Sequence, residues 1–385
     1  MKITPVTASF FTAIALCTQL LVPYANTATA SDRDDPLVIA HRGASGYLPE
    51  HTLESKALAY GMRPDYIEQD LVLSRDGHLI VMHDIHLDQV TDVARVFPGR
   101  AREDGHFYTI DFTLPELKRL RVTETFEGDI EERKPKYPGR FPLWKSSFQL
   151  STLEEEIELI QGLNKSLGYE VGIYPEIKQP WFHHREGRDI ARRTLETLKQ
   201  YGYTDKTSKI FLQSFDAEEL QRIDGELMPA MDMDLPLVQL VAATSWGEKK
   251  VQQGGHWVNY SYDWMLTPKG LEKIAGYADG IGPWAMMLVT PAENAINDNG
   301  ISRRAQALGL RVHPYTFRAD SEEVPPVLGE FDRLLALFIE DIGIDGLFTD
   351  HPDQVRAFLD ATGSPGGRAP AASEKAGLLK KTQQQ

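Results

Sequence analysis

From residue 37 onward, short apolar runs alternate with longer stretches in which apolar positions recur every three or four residues. That is the pattern of strands followed by helices in an α/β fold with parallel strands. Eight runs read as strands: Leu37 to His41, Tyr66 to Leu71, Tyr169 to Ile177, Lys209 to Ser214, Leu237 to Val241, Ala278 to Ile281, Leu310 to Tyr315 and Asp345 to Phe348. Eight such units predict a TIM (β/α)8 barrel, in which the carboxyl end of every strand faces the functional mouth. Length agrees. The 324 residues from 37 to 360, less the 67 of a stretch at 84–150 that holds no barrel strand, leave 257, close to the roughly 250 typical of this fold.

Residues 84–150 carry turn signals at Pro98-Gly99 and Pro138-Gly139 and a capping box at Thr113-Leu-Pro-Glu116, so they read as a small insertion subdomain above the barrel mouth. Helical periodicity resumes after Ser151-Thr-Leu-Glu154, a second capping-box pattern, with Ile157, Leu159, Ile160 and Leu163 on the following helix. The barrel domain is assigned to 31–361. A tail at 362–385, opening Thr362-Gly-Ser-Pro-Gly-Gly, is expected to be flexible.

Residues 1–30 combine a single Lys2, an apolar run from Phe10 to Val22 and a small-residue ending Ala28-Thr29-Ala30. This is the pattern of a secretory signal peptide cleaved after Ala30; the run falls short of the roughly 20 residues that span a bilayer. The only cysteine, Cys17, lies within it, so the mature chain is expected to form no disulfide. Leu16 before Cys17 argues against a lipid-modified cysteine.

Formal net charge is -15, and -16 once Lys2 leaves with the leader. A nucleic-acid or anionic-membrane partner calls for the opposite sign. An acidic protein that handles a phosphate needs local cations, either a metal or a few placed Arg and Lys side chains.

The first strand ends at His41-Arg42-Gly43, which places His41 and Arg42 at the mouth. Along the second strand, side chains alternate, so Glu68 and Asp70 share a face. Two carboxylates on one interior face repel each other, and an oxygen-liking divalent cation such as Ca²⁺ or Mg²⁺ relieves the repulsion. Beyond them, Asp76-Gly77 between apolar runs signals a hairpin. A two-residue loop there would set Asp70 directly opposite His83, on the same face. On the third strand, Glu176 and Lys178 share a face at the carboxyl end, a further carboxylate ligand and a cation for phosphate. The bland alternatives are a capped turn at His41 and a surface ion pair at Glu176 and Lys178.

Taken together, His41-Arg42-Gly43, Pro49-Glu50-His51-Thr52, Glu68-Gln-Asp70, His83-Asp84, Glu176-Ile-Lys178 and Thr349-Asp350-His351-Pro352 resemble the glycerophosphodiester phosphodiesterase family across nearly the whole mature chain, and its periplasmic bacterial branch most of all. His51 stands where many members carry Asn, and this branch is similar to the present chain there. The resemblance implies a barrel of the phospholipase C-like phosphodiesterase type, a periplasmic location, and cleavage of glycerophosphodiesters to sn-glycerol 3-phosphate and an alcohol. It implies one divalent cation at Glu68, Asp70 and Glu176, Ca²⁺ before Mg²⁺, with Arg42 and Lys178 on the phosphate and His41 and His83 as acid and base in an order left open.

Trp284, after Gly282-Pro283, and Phe317, after the seventh strand, are candidates for the glycerol wall. Trp181-Phe182-His183-His184 reads as a lip, with His183 and His184 as an exposed loop pair. His351 is expected to fasten the closing turn, and His78, His86, His106, His256 and His313 to be structural or exposed. The expected partner is a small-molecule glycerophosphodiester, with no nucleic acid and no stable membrane insertion; a homodimer is among the assemblies the sequence allows. The competing functions are a phospholipase-type phosphodiesterase on the same fold and a surface binding protein without catalysis.

Overall fold

The computed structural model describes residues 35–128, 133–293 and 295–362. The expected leader with Cys17, and the expected tail beyond Thr362, lie outside the described residues. Eight parallel strands form the barrel: β1 (Leu37–Ala40), β2 (Tyr66–Leu73), β3 (Gly172–Ile177), β4 (Leu212–Ser214), β5 (Leu237–Val241), β6 (Gly280–Pro283), β7 (Arg311–Val312) and β8 (Gly346–Thr349). From β1 to β7 each pairs with the next in chain order, and β1 pairs with β8. Backbone bonds from Asp345 N to Val312 O at 3.0 Å and from Phe348 N to Pro314 O at 3.1 Å close the ring. All eight expected strands are present in the expected order.

The barrel holds because its strands are covered on both faces. All eight residues of β2 are buried, as parallel strands covered on both sides require. Inside, Ile39, Tyr66, Tyr174, Phe211, Val238 and Phe348 fill the barrel beneath the mouth. Tyr174 stacks on Phe211 at 5.1 Å, and its hydroxyl meets His313 Nδ1 at 2.9 Å, so the buried hydroxyl keeps a partner inside the aromatic plug. Outside, helices including α1 (Leu53–Gly61) and α2 (Leu153–Leu167) bury their apolar stripes against the strands. The cap of α2 lies one residue later than the sequence pattern suggests. Thr152 accepts from Glu155 N while the Glu155 side chain returns to Thr152 N, because Ser151 is still paired as a strand with Val81.

The insertion has an apolar cluster of its own. Ile85, Leu87, Val93, Phe112, Leu117, Leu120, Val122 and Phe148 pack onto Val72, Ile80 and Met82, the outer face of the β2 hairpin. Its short helix Leu114–Leu117 starts at the expected Thr113 to Glu116 capping box.

The hairpin itself differs from expectation. Leu71 pairs with Val81, Val72 with Ile80 and Leu73 with Leu79, so the register is one residue off the predicted one. The reason is the turn: Gly77 N bonds Ser74 O, Ser74 N bonds His78 O, and Gly77 has φ 84°. Arg75, Asp76 and Gly77 thus form a three-residue loop ending in a left-handed glycine, in place of a two-residue turn. Met82 stands across from Asp70, donating to its carbonyl at 2.9 Å.

His183 also departs from expectation. It lies buried on the short helix Pro180–Arg185, where Nε2 accepts from Leu73 N at 3.1 Å and Nδ1 donates to Gln179 O at 3.2 Å. His184 is exposed as expected, and bonds Glu219 Oε2 at 3.0 Å.

Both His183 nitrogens are satisfied by the neutral ring, and burial pushes its pKa from the usual value down to about 4. An unfolded chain takes up that proton near pH 6.5. The stabilisation is therefore complete above about pH 6.5 and lost as pH falls towards 4, on the order of 3 kcal/mol. His183→Gln should flatten the fall in Tm between pH 7.5 and 4.5; an unchanged pH slope in the variant would refute the assignment.

Candidate active site

The mouth is built by register. Asp70 on β2 lies beside Glu176 on β3, and Glu176 beside Gln213 on β4, so residues more than a hundred positions apart become neighbours on one interior face. Glu68, two residues before Asp70, shares that face. One oxygen from each of Glu68, Asp70 and Glu176 lies within 4.8 Å of the others, and all three residues are buried.

Such crowding is costly. Burial first, and then the neighbouring Asp70 charge, push the Glu68 carboxyl up to about 8. Burial raises Glu176 well above the carboxylate range, with Asp70 adding to the effect and Lys178 opposing it. Burial also acts against ionised Asp70, yet His51 and Lys178 hold it well below its ordinary value. Asp70 Oδ1 is buried without a hydrogen-bond partner. Three clustered carboxylates, two of them driven towards neutrality and the third with a buried, unpartnered oxygen, suit a hard divalent cation bound through oxygen.

Cations and histidines surround this cluster. Arg42, at the end of β1, has a left-handed φ of 58°. The conformation turns its backbone N–H onto Glu68 Oε2 at 3.0 Å, while its guanidinium donates to Glu50 Oε2 at 2.7 Å and passes 3.6 Å from Asp70 Oδ2. Gly43 follows with φ 95°, where a Cβ would lie 2.6 Å from Ser55 Oγ; only glycine lets α1 approach so closely. Lys178 Nζ sits 2.8 Å from Glu176 Oε1 and 3.9 Å from Glu248 Oε2.

His41 is buried, with Nδ1 2.6 Å from Asp350 Oδ1 and Nε2 3.8 Å from Glu68 Oε2. Burial, then Arg42, lowers its pKa to about 4, against the pull of Asp350. Burial, Arg42 and Lys178 hold His83 well below 6.5. His83 reaches the site although the predicted register fails, because the paired strand stops at Val81 and the chain turns before it.

One cavity of about 280 Å³ is lined by His41, Arg42, Glu68, Asp70, His83, Glu176, Lys178 and Trp284. Eight of the nine expected site residues are thus brought together. The ninth, Phe317, is not. It is 0% exposed, packs in the core and meets the Phe338 ring at 5.0 Å, since its backbone bridges to Thr349 on β8 and turns the ring outward against the helix layer. A second, polar cavity of about 580 Å³ opens under the insertion and shares His41, Arg42, His83 and Arg318 with the first.

A sequence profile of the glycerophosphoryl diester phosphodiesterase family matches residues 41–354. The chain is 50% identical over 339 residues to a glycerophosphodiester phosphodiesterase of Haemophilus influenzae, covering 87% of this chain and 92% of that protein. It is 44% identical to one of Treponema pallidum, covering 86% and 92%. The chain belongs to the glycerophosphoryl diester phosphodiesterase family. The barrel is shared with a glycerophosphodiester phosphodiesterase of Agrobacterium tumefaciens (TM-score 0.51, 19% identity, 84% of this chain and 99% of that one). It is shared too with an Oleispira antarctica phosphodiesterase solved in complex with the product sn-glycerol-3-phosphate (TM-score 0.55, 22% identity, 84% and 97%).

Several residues of this family member's site escape sequence reasoning. Asp350, directly after β8, grips His41 and is itself held by Arg318 Nε at 2.9 Å and by Arg140 Nη2 from the insertion at 2.6 Å. Burial opposes its charge, but Arg318, His41 and Arg140 keep the carboxyl well below the usual range. The signal was present in Thr349-Asp350-His351-Pro352, an acid at the carboxyl end of the last strand. His351 meanwhile fastens the closing turn as expected, accepting from Ala319 N at 3.2 Å. Trp246, Gln213, Tyr315 and Glu248 also line the cavity.

Because a carboxylate on Nδ1 fixes the imidazole with Nε2 towards the cavity, Asp350→Asn should leave the fold intact and misorient the ring. Steady-state kinetics on a phosphodiester should show kcat lower by about 10²- to 10⁴-fold with KM changed only a few-fold. A kcat within threefold of wild type would overturn this role.

Proposed function

We propose that the chain hydrolyses glycerophosphodiesters, the deacylated remains of phospholipids, to sn-glycerol 3-phosphate and an alcohol, using one divalent cation held by Glu68, Asp70 and Glu176. The observation that carries this reading is that a single cavity gathers the carboxylate cluster, both histidines, Arg42 and Lys178. The product named in the Oleispira structure supports the choice of substrate. When bound, the cation supplies Lewis-acid polarisation of a phosphoryl oxygen. Ca²⁺ ahead of Mg²⁺ follows from the resemblance to the periplasmic branch.

The chain's own residues divide the remaining work. Arg42 and Lys178 donate to the other phosphoryl oxygens and offset charge that grows there in the transition state. His41, with Nδ1–H on Asp350, presents an unprotonated Nε2 and takes a proton from the attacking hydroxyl. His83 stands on the wall common to both cavities and, once the bound phosphodiester's negative charge favours its protonated form, gives that proton to the leaving alkoxide. If the glycerol 2-hydroxyl attacks, a cyclic phosphate forms first and the two rings exchange roles when water opens it. Trp284, 39% exposed, and Trp246 meet edge to face at 5.4 Å and wall the glycerol side. Among the described residues, no helix is long and apolar enough to cross a membrane.

Chelation should abolish release of glycerol 3-phosphate from glycerophosphocholine, and Ca²⁺ or Mg²⁺ should restore it. His41→Ala and Glu176→Gln should each lower kcat by about 10²-fold or more, with Glu176→Gln also weakening metal binding measured by calorimetry. Full activity in a chelated, metal-free sample would refute the metal-dependent reading. Cleavage of phosphatidylcholine vesicles at a comparable rate would replace it with the phospholipase-type one.

Export to the periplasm belongs to the same proposal, and the leader-like segment supports it. Mass spectrometry of the exported protein should find an amino terminus at Ser31; a mature chain beginning at Met1 would count against export.

A further inference from the structure

Behind the carboxylate cluster, away from both cavities, lies a fully buried polar relay that the proposed chemistry does not use. Lys56 on α1 is 0% exposed. Its Nζ donates to the backbone carbonyl of Glu68 and to His51 Nδ1 at 3.2 Å, and pairs with Glu156 Oε2 on α2 at 3.2 Å. His51 Nε2 in turn lies 2.8 Å from Asp70 Oδ2. Glu156 is 0% exposed and meets Ser151 Oγ at 2.8 Å, and the same hydroxyl lies 3.1 Å from the His51 carbonyl. His51 has a left-handed φ of 57°, a conformation that costs energy for a residue with a Cβ and needs firm support around it.

A buried ion pair is a poor source of stability, since desolvating two charges offsets most of their attraction. The position of this one suggests another use. An ammonium only donates hydrogen bonds. The His51 nitrogen it meets must therefore be the bare acceptor, and the proton must reside on Nε2, the nitrogen that faces Asp70. The same ammonium holds the Glu68 carbonyl, so one side chain touches the supports of two of the three carboxylates.

We propose that Lys56 is a positioning residue for the metal centre: it fixes His51 as the Nε2–H tautomer, which donates to Asp70 Oδ2 and leaves Oδ1 as the ligating oxygen. The independent sign that Oδ1 is reserved is that it lies buried without a hydrogen-bond partner, on a residue of the carboxylate cluster. Without Lys56, His51 can place its proton on Nδ1 and turn a lone pair towards Asp70. Two acceptors would then face each other, and the carboxylate would swing away. The relay acts as an outer shell of the kind that holds metal ligands in one orientation. This inference rests on the reading that Glu68, Asp70 and Glu176 bind a divalent cation.

The test replaces both members of the ion pair, Lys56→Met with Glu156→Gln, so that no lone charge is left buried. Ca²⁺ affinity is measured by titration calorimetry, and the His51 tautomer by ¹⁵N-histidine NMR of the full chain. Wild type should show His51 protonated at Nε2, and the double substitution should weaken Ca²⁺ binding by about 10- to 100-fold with a mixed tautomer signal. Added to His51→Asn, whose amide donates without any choice of tautomer, the same pair should change affinity less than about threefold. A wild-type proton on Nδ1, a double variant that binds Ca²⁺ as wild type does, or an equal loss in the His51→Asn background would each overturn the inference. The wild-type NMR measurement decides even if the double variant does not fold. Wild-type protein that binds neither Ca²⁺ nor Mg²⁺ would instead overturn the metal reading itself, and this inference with it.

Discussion

Three carboxylates, Glu68, Asp70 and Glu176, are held within 4.8 Å of one another in a buried mouth, and most of the charged groups around them are placed in response to that repulsion. Arg42 lies against Glu68, Asp70 and Glu50, Lys178 against Glu176, and His51 with Lys56 behind Asp70. Asp70 stays ionised while Glu68 and Glu176 are driven towards neutrality, an arrangement that suits one multivalent cation better than a set of ion pairs. The rest of the barrel can be read as the means of keeping this arrangement in place.

The backbone provides that means in two ways. Parallel register puts Asp70, Glu176 and Gln213 side by side without any local sequence signal. The aromatic plug of Tyr66, Tyr174, Phe211 and Phe348 supports the strand ends from beneath. The insertion then adds a constraint from above. Arg140 donates to Asp320, Asp350 and the Ser45 carbonyl, so the subdomain that roofs the second cavity also fixes the carboxylate that orients His41. Its removal would open the polar cavity and loosen the imidazole at once.

The strands were legible because each is a compact apolar run. Site residues at strand ends were legible because alternation and polarity decide where Glu68, Asp70, Glu176 and Lys178 point. What failed depended on single-residue geometry. The left-handed Gly77 converts a two-residue turn into three, shifting the hairpin by one, and His83 keeps its place only because pairing has ended by then. Phe317 looked like mouth and proved to be core, since position after a strand does not say which way a bridging residue faces. His183 looked exposed because its partners, Leu73 N and Gln179 O, are backbone groups that leave no mark in the sequence. Asp350 was overlooked beside the histidine next to it: a carboxylate that acts through another residue has no spacing rule of its own.

The acidity of the chain and its anionic substrate class are compatible at the level of the cavity. Its lining carries Glu68, Asp70, Glu176 and Glu248 against Arg42, Lys178 and Arg318, a formal charge of -1 when all are ionised. With the proposed divalent cation the lining becomes +1, which matches the single negative charge of a phosphodiester. Hydrolysis leaves a phosphomonoester, nearer -2 at neutral pH, and the same lining then carries an excess of negative charge with product bound. One bond cleaved therefore turns a matched complex into a mismatched one, a force towards product release that needs no movement of the barrel.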